Sequence, residues 1–275
     1  NEILNRYVED GIWPFLYSKI VDGKSGDIVY EHLAVNKRLL PNQNIDGSKW
    51  MRIWSMSKLV TISIAMDLME EGLFYFDDPV HKYIPEFSKL MVVVDNNGES
   101  ISSIRKEDLG CPHNLVKMDS VMTVQHLFNH TAGFYYALTT SECLNDSLAV
   151  KRILQAENGD QLIDILSTLP LVQQPGQRYF YGMNTSVLGL LLERVTGKSL
   201  YQNLKERVTK VHNIEGLAYN KPQGIELLPT FTGREGNLRK IIDGELDIFG
   251  GEVPNYSRDN NLFLGGEGML GTADG

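Results

Sequence analysis

With 275 residues, 42% of them hydrophobic, the chain can bury a sizeable core, as one large domain or as two lobes. A formal net charge of −9 argues against a phosphate-backbone partner, and the densest basic patch, Arg234 to Lys240, is balanced by Glu235, Asp243 and Glu245. No apolar run approaches the roughly eighteen residues that a membrane-spanning helix needs.

In chain order, Ile3, Leu4, Tyr7 and Val8 predict a short amphipathic helix over residues 1–12. Phe15 to Val21 and Asp27 to His32 read as strands joined by the glycine-containing turn Asp22-Gly23-Lys24-Ser25-Gly26. Ile53 and Trp54 lead into Ser55-Met56-Ser57-Lys58. Leu59, Val60, Ile62, Ala65, Met66, Leu68 and Met69 then follow at helical spacing and are expected to bury one face, with Gly72 closing the helix. Asp77-Asp78-Pro79 opens a short helical segment, and residues 90–120 read as a small insertion or flap. Thr123 is a candidate N-cap for a helix ending near Asn129. Leu148 to Gln155, Gln161 to Thr168, Thr185 to Val195 and Leu200 to Val208 carry helical periodicity; Ile225 to Phe231 is strand-like, and Leu264 to Gly271 is glycine-rich. No internal repeat or low-complexity tract is present.

Ser55 and Lys58 are one helical turn apart, so they share a helix face and the amine can reach the hydroxyl. A serine whose proton passes to that amine becomes a nucleophile, and a helix start aims backbone N–H groups at any oxyanion formed there. Lysine in water holds its proton until about pH 10.4, so such an amine works as a base only where burial or a neighbouring cation lowers that value. The other reading of a serine at a helix start is an ordinary N-cap.

Three further segments carry a resemblance. They are Gly72 to Val80 with Tyr83-Ile84-Pro85-Glu86-Phe87, then Thr123 to Phe134 including Asn129-His130-Thr131-Ala132-Gly133, then Pro175 to Tyr181 continuing to Val187-Leu188-Gly189 and Glu193 to Gly197. In this order behind the Ser-x-x-Lys motif, the sequence resembles the serine β-lactamase-related superfamily: class C β-lactamases, D-alanyl-D-alanine carboxypeptidases and family VIII carboxylesterases. The resemblance runs from about residue 5 to the end of the chain.

It implies an α+β fold, a β-lactamase/penicillin-binding-protein-like antiparallel sheet flanked by helices with an all-helical lobe. On that reading residues 1–275 are one domain, with a sheet lobe of about 1–54 and 215–275 and a helical lobe of about 55–214. Ser55 would be the nucleophile, Lys58 its amine partner, and Tyr181 the tyrosine of the family's Tyr-x-Asn element. Lys58 and Tyr181 are then best treated as one coupled dyad.

Two departures from the family pattern bear on function. Gly182 and Met183 follow Tyr181, so the asparagine is missing from its place; Asn184, one residue on, is a candidate substitute that holds substrate, or a cap for the helix near Thr185. A residue other than asparagine there resembles the esterase branch and weakens the lactamase reading. The family's third motif, Lys-Thr-Gly or a variant of it, supplies an oxyanion-hole N–H, whereas the Thr-Gly pairs here, Thr196-Gly197 and Thr232-Gly233, sit in other contexts. The C-terminal strands that carry it are therefore expected to lie beyond Gly275.

Tyr135 and Tyr136 follow on a loop expected to border the cleft, with Tyr136 the candidate substrate contact. His130 is expected to be structural. His32, His81, His113, His126 and His212 show no ligand spacing, so no metal and no cofactor is expected. Cys111 and Cys143 are too few for a disulfide framework; two free thiols are expected, with a single bridge the alternative in an oxidising compartment. The function expected is that of a serine hydrolase acting on ester or amide carbonyls through an acyl-enzyme on Ser55, foremost a carboxylesterase, alternatively a D-alanyl-D-alanine carboxypeptidase or β-lactamase. A non-catalytic binding protein of the same fold is the reading from another class. Expected partners are a small-molecule ester, peptide or β-lactam, and either a second copy of the chain or a complementing C-terminal segment. Neither nucleic acid nor a membrane span is expected, and the compartment is open between periplasmic or secreted and cytoplasmic.

Overall fold

The computed structural model describes residues 1–41, 44–103, 114–137, 139, 141–151, 153–233, 237–242, 256 and 259–275. Helix α1 (Glu2–Glu9) buries Val8 against the hairpin that follows it. Strands β1 (Phe15–Val21) and β2 (Ile28–Val35) pair antiparallel from Phe15↔Val35 to Val21↔Ile28. Their turn is held by the Asp22 carboxylate, which accepts the Lys24 and Ser25 backbone N–H groups at 2.9 and 2.8 Å. The second strand runs beyond His32 because Leu33, Ala34 and Val35 go on pairing with Tyr17, Leu16 and Phe15.

Strand β3 (Met51–Arg52) leads through a 3₁₀ turn, Trp54–Met56, into α2 (Ser57–Glu70), which Gly72 closes at φ 79°. The buried face of α2 differs from the expected one. Ser57, Lys58, Thr61, Ile64, Ala65 and Leu68 point inward, while Leu59 is 70% exposed and Met66 40%. The N-terminal half of that face, Ser57, Lys58 and Thr61, meets backbone of residues 265–269 and is polar, whereas Ile64, Ala65 and Leu68 further along join the apolar core.

Within residues 90–120, β4 (Met91–Val94) and β5 (Asn114–Lys117) form an antiparallel pair. Val92, Val93 and Val94 are buried, and Val93 N–H donates to the Leu171 carbonyl at 2.8 Å, so β4 belongs to the core. Helix α3 (Val124–Phe128) starts at Thr123 as expected, with Thr123 N–H donating to His126 Nδ1 at 3.2 Å.

Helix α4 (Glu142–Val150) begins ahead of the apolar pattern. Thr139 Oγ1 donates to Asn145 Oδ1 at 2.7 Å, and Asn145 N–H donates to the Ser141 carbonyl, a polar start that periodicity does not register. Cys143 on this helix is disulfide-bonded, which corrects the expectation of a free thiol there; Cys111 lies outside the described residues.

Asn158 caps α5 (Gly159–Leu166) by accepting Gln161 N–H at 3.0 Å. Helix α6 (Asn184–Thr196) is buried without a break from Asn184 to Leu192 and ends at Gly197 in the left-handed conformation. Helix α7 (Leu200–Leu204) continues as a single π turn, Lys205–Thr209. Short strands complete the chain: β6 (Leu217–Ala218), β7 (Phe231–Thr232), β8 (Arg239–Lys240) and β9 (Leu270–Gly271). Strand β9 is central in a three-stranded antiparallel sheet of order β3-β9-β6, and β7 pairs with β8, which shortens the strand expected over Ile225 to Phe231. Among the described residues no helix is long and apolar enough to cross a membrane.

The glycine run ahead of β9 lies between α2 and α6. Thr61 Oγ1 donates to the Gly265 carbonyl at 2.7 Å, Gly266 N–H donates to Ser186 Oγ at 3.1 Å, and Met269 N–H donates to Ser57 Oγ at 3.1 Å. Glycine is needed for this approach: a Cβ on Gly265 would stand 2.7 Å from the Thr185 carbonyl oxygen, and one on Gly266 would stand 2.6 Å from Ser186 Oγ. Replacing Thr61 with valine keeps the shape but leaves the buried Gly265 carbonyl without its donor. The expected loss is about 1–3 kcal/mol of stability, measured by denaturant unfolding of T61V beside the unmodified chain; an unchanged midpoint would show that this bond does not hold the run in place.

Candidate active site

Ser55 sits in the 3₁₀ turn that enters α2, directly after Trp54 at φ 44°. A bulky residue in the left-handed region is strained, and strain of this kind persists where the surroundings over-determine the backbone. Lys58, one turn on, is 8% exposed and its Nζ donates to Ser55 Oγ at 3.2 Å. Tyr181, from the loop before α6, places Oη 2.7 Å from Ser55 Oγ, and Lys58 Nζ lies 4.9 Å from the centre of its ring. The structure thus brings Ser55, Lys58 and Tyr181 into one hydrogen-bonded group.

Two more contacts fix the lysine. Its Nζ donates to the Gly266 carbonyl at 2.8 Å and to Tyr136 Oη at 3.3 Å. Tyr136 Oη gives its own proton to Glu267 Oε2 at 2.7 Å, so toward Lys58 it acts as an acceptor. A carbonyl and an oriented phenol therefore pin two ammonium hydrogens, and the third position of the nitrogen faces Ser55.

Burial pushes the Tyr136 phenol well above the usual tyrosine range, and the Glu267 charge adds to this, so Tyr136 stays protonated and can donate. Tyr136 is buried and bridges Lys58 to Glu267, away from the open side of the site. Tyr135 is also buried and its phenol is likewise raised by burial.

His130 stands behind Tyr181. It adopts φ 57°, stacks on the Tyr181 ring at 4.9 Å with 23° between planes, and accepts Gly182 N–H at 3.4 Å on Nδ1. Asn184 Nδ2 lies 3.1 Å from the same Nδ1 and donates to the Phe180 carbonyl at 3.4 Å. Two donors on Nδ1 leave the ring proton on Nε2, which faces Thr185 Oγ1 at 3.4 Å. Asn184 is wholly buried in this contact, so its side chain neither reaches Ser55 nor caps α6, whose N-cap position is Met183.

Glu267 and Ser186 are members of the group that sequence reasoning did not single out. Ser186 Oγ donates to Glu267 Oε1 at 2.9 Å, so both carboxylate oxygens are engaged inside a fully buried pocket. The available signal was an acidic residue within a glycine run, the one long side chain among Gly265, Gly266 and Gly268.

Comparison with known proteins places the chain in a family. The Beta-lactamase family model matches residues 19–274, and the chain belongs to that family. Protein Rv1367c of Mycobacterium tuberculosis is 34% identical over 157 residues, which is 57% of this chain and 36% of that protein. Acyltransferase mokF of Monascus pilosus is 30% identical over 235 residues, 84% of this chain and 51% of that one. The chain spans about half or less of the length of these curated relatives. The solved structure of EstCE1, described as a hydrolase with promiscuous acyltransferase activity, superposes with a TM-score of 0.71 at 20% identity, covering 99% of this chain and 68% of that one. The fold is that of the serine β-lactamases, mixed α and β with antiparallel sheets, as the motifs implied.

Burial, and secondarily the Lys58 charge, hold the His130 ring down at about 4, against an ordinary 6.5. Folding thus favours the neutral ring: its contribution is complete above about pH 6.5 and is lost as the pH falls toward about 4. His130→Asn tolerates the left-handed backbone and removes this titration. The drop in thermal midpoint between about pH 7 and about pH 4.5 is expected to be smaller in H130N than in the unmodified chain; equal drops would exclude His130 as a source of acid sensitivity.

Proposed function

We propose that the chain carries the acyl-transfer centre of a serine hydrolase of the carboxylesterase type. The observation that carries this reading is the position of Ser55 Oγ, 2.7 Å from Tyr181 Oη and 3.2 Å from Lys58 Nζ. In the reaction Ser55 Oγ attacks an ester carbonyl carbon, and its proton passes to the Lys58–Tyr181 pair. The tetrahedral intermediate then collapses to an acyl-enzyme as the alcohol leaves with that proton. Water, activated by the same pair, attacks the acyl carbon and frees the acid and Ser55.

An ester substrate is favoured over a β-lactam by Met183, which stands where the lactamases place the asparagine that holds the substrate amide, while Asn184 faces His130. Transfer of the acyl group to an alcohol in place of water is the second reading. It is supported by the name of the Monascus relative and by the described activity of EstCE1, both of which pair this fold with acyl transfer. Peptidase or β-lactamase action and a non-catalytic binding role are the remaining outcomes.

A fluorophosphonate distinguishes activity from inactivity. The purified chain is expected to gain one adduct, read by intact mass, at Ser55, and to hydrolyse short p-nitrophenyl esters. Ser55→Ala should take up no adduct and lose at least about a thousandfold in ester turnover with its thermal midpoint retained. An unlabelled wild-type chain, or turnover retained by S55A, would overturn the mechanism. Added alcohols that divert acyl groups into new esters would select the transferase reading.

A further inference from the structure

Glu267 is completely buried, yet no step of the reaction above uses it. Its Oε2 accepts from Tyr136 Oη, Tyr136 Oη accepts from Lys58 Nζ, and Lys58 Nζ meets Ser55 Oγ, at 2.7, 3.3 and 3.2 Å along the chain. Four groups thus make one continuous path from a buried carboxylate to the open side of the site. We propose that Glu267 is a positioning residue for acyl transfer, one that draws the surplus proton of Lys58 through Tyr136 and leaves Lys58 as the free amine that Ser55 requires. The proposal rests on Ser55 being the nucleophile.

The transfer balances without any further reactant. Tyr136 Oη takes a proton from Lys58 Nζ as it gives its own to Glu267 Oε2, so ammonium and carboxylate become amine and carboxylic acid with net charge unchanged. The freed lone pair on Nζ then accepts the Ser55 proton when Oγ attacks. Tyr136 is suited to pass a proton in this way because its hydroxyl is hydrogen-bonded on both sides, and Ser186 holds the second carboxylate oxygen so that Oε2 keeps facing the phenol.

The surroundings favour a proton on Glu267. An ionised Lys58 and Glu267 with a phenol between them would be two desolvated charges out of contact, the arrangement in which burial is least offset by attraction. Burial pushes the Glu267 carboxyl up, against the opposing pull of Lys58 and of its two hydrogen bonds. The titratable groups facing Glu267 are Lys58 from α2, Tyr136, and the phenols of Tyr219 and Tyr256; the three phenols are all raised by burial and hence neutral. Lys58 is thus the one cation acting on the carboxylate among the described residues.

The test is the second-order rate of fluorophosphonate labelling at Ser55 as a function of pH, with thermal midpoints measured alongside. Glu267→Gln keeps the side chain's shape but cannot take the proton. Its labelling rate is expected to fall about a hundredfold near neutral pH and to recover as pH rises, because Lys58 must then lose its proton to solvent. Tyr136→Phe breaks the path at its middle and should shift the profile in the same direction, with the double variant no slower than the slower single. Glu267→Asp should restore part of the neutral-pH rate. An unchanged profile in E267Q, or a loss equal at every pH, would overturn the proposal; should E267Q fail to fold, the Y136F profile alone decides in the same two ways. A wild-type chain that does not label, or labels away from Ser55, would refute the nucleophile assignment and the proposal with it, whereas normal wild-type labelling with an unshifted E267Q profile refutes the proposal alone.

Discussion

The 2.8 Å bond from Lys58 to the Gly266 carbonyl requires a backbone segment to lie against the inner face of α2, and most of the site's construction follows from that requirement. Only glycines fit at 265 and 266, because α6 closes the other side through the Thr185 carbonyl and Ser186 Oγ. Where α2 meets that segment its inner face must in turn be short and polar, which explains Ser57 and Thr61, each bonded to it. A lysine can be buried here because carbonyl, phenol and hydroxyl oxygens meet all three of its donor positions.

The same construction divides the site into a wet and a dry side. Ser55 and Tyr181 reach solvent, the tyrosine at 44% exposure, and Met56, Leu59 and Tyr179 flank them with exposed apolar and aromatic surface. Lys58, Tyr136, Ser186 and Glu267 lie behind and are buried. In the proposed reaction a carbonyl would approach from the first side, and the proton would be handled on the second. Mutations on the two sides should therefore have different signatures, in binding and specificity on one and in pH dependence on the other.

Much of this arrangement was legible in the sequence, for different reasons at different residues. Ser55 and Lys58 declare their proximity through helical spacing, a local rule. Tyr181 is 126 residues from Ser55, and only the resemblance to a family could pair them. Tyr136 was read as pocket lining because its loop was right, but its true partner, Glu267, is 131 residues away and carries no periodic signal. The expected burial held for Ala65 and Leu68 but failed in the first turns of α2 for a physical reason: hydrophobic periodicity assumes that apolar side chains meet apolar side chains, and there the helix meets glycine backbone. The start of α4 was missed because side-chain hydrogen bonds from Thr139 set it, and the Cys143 disulfide was left undecided because two cysteines bridge or stay free according to the redox compartment, which the residues do not reveal.

The contacts of Lys58 also bear on how the chain folds. Its partners Tyr136 and Gly266 are 78 and 208 residues away, so the site closes only when segments from the beginning, middle and end of the chain have all docked. Helices such as α2 and α6 rest on local bonds and can form far sooner, whereas long-range closure carries the entropic penalty of large loops. During refolding, helical signal should therefore return well before reactivity at the serine, which makes chemical labelling of that side chain a stricter gauge of the finished native state than any spectroscopic measure of secondary structure.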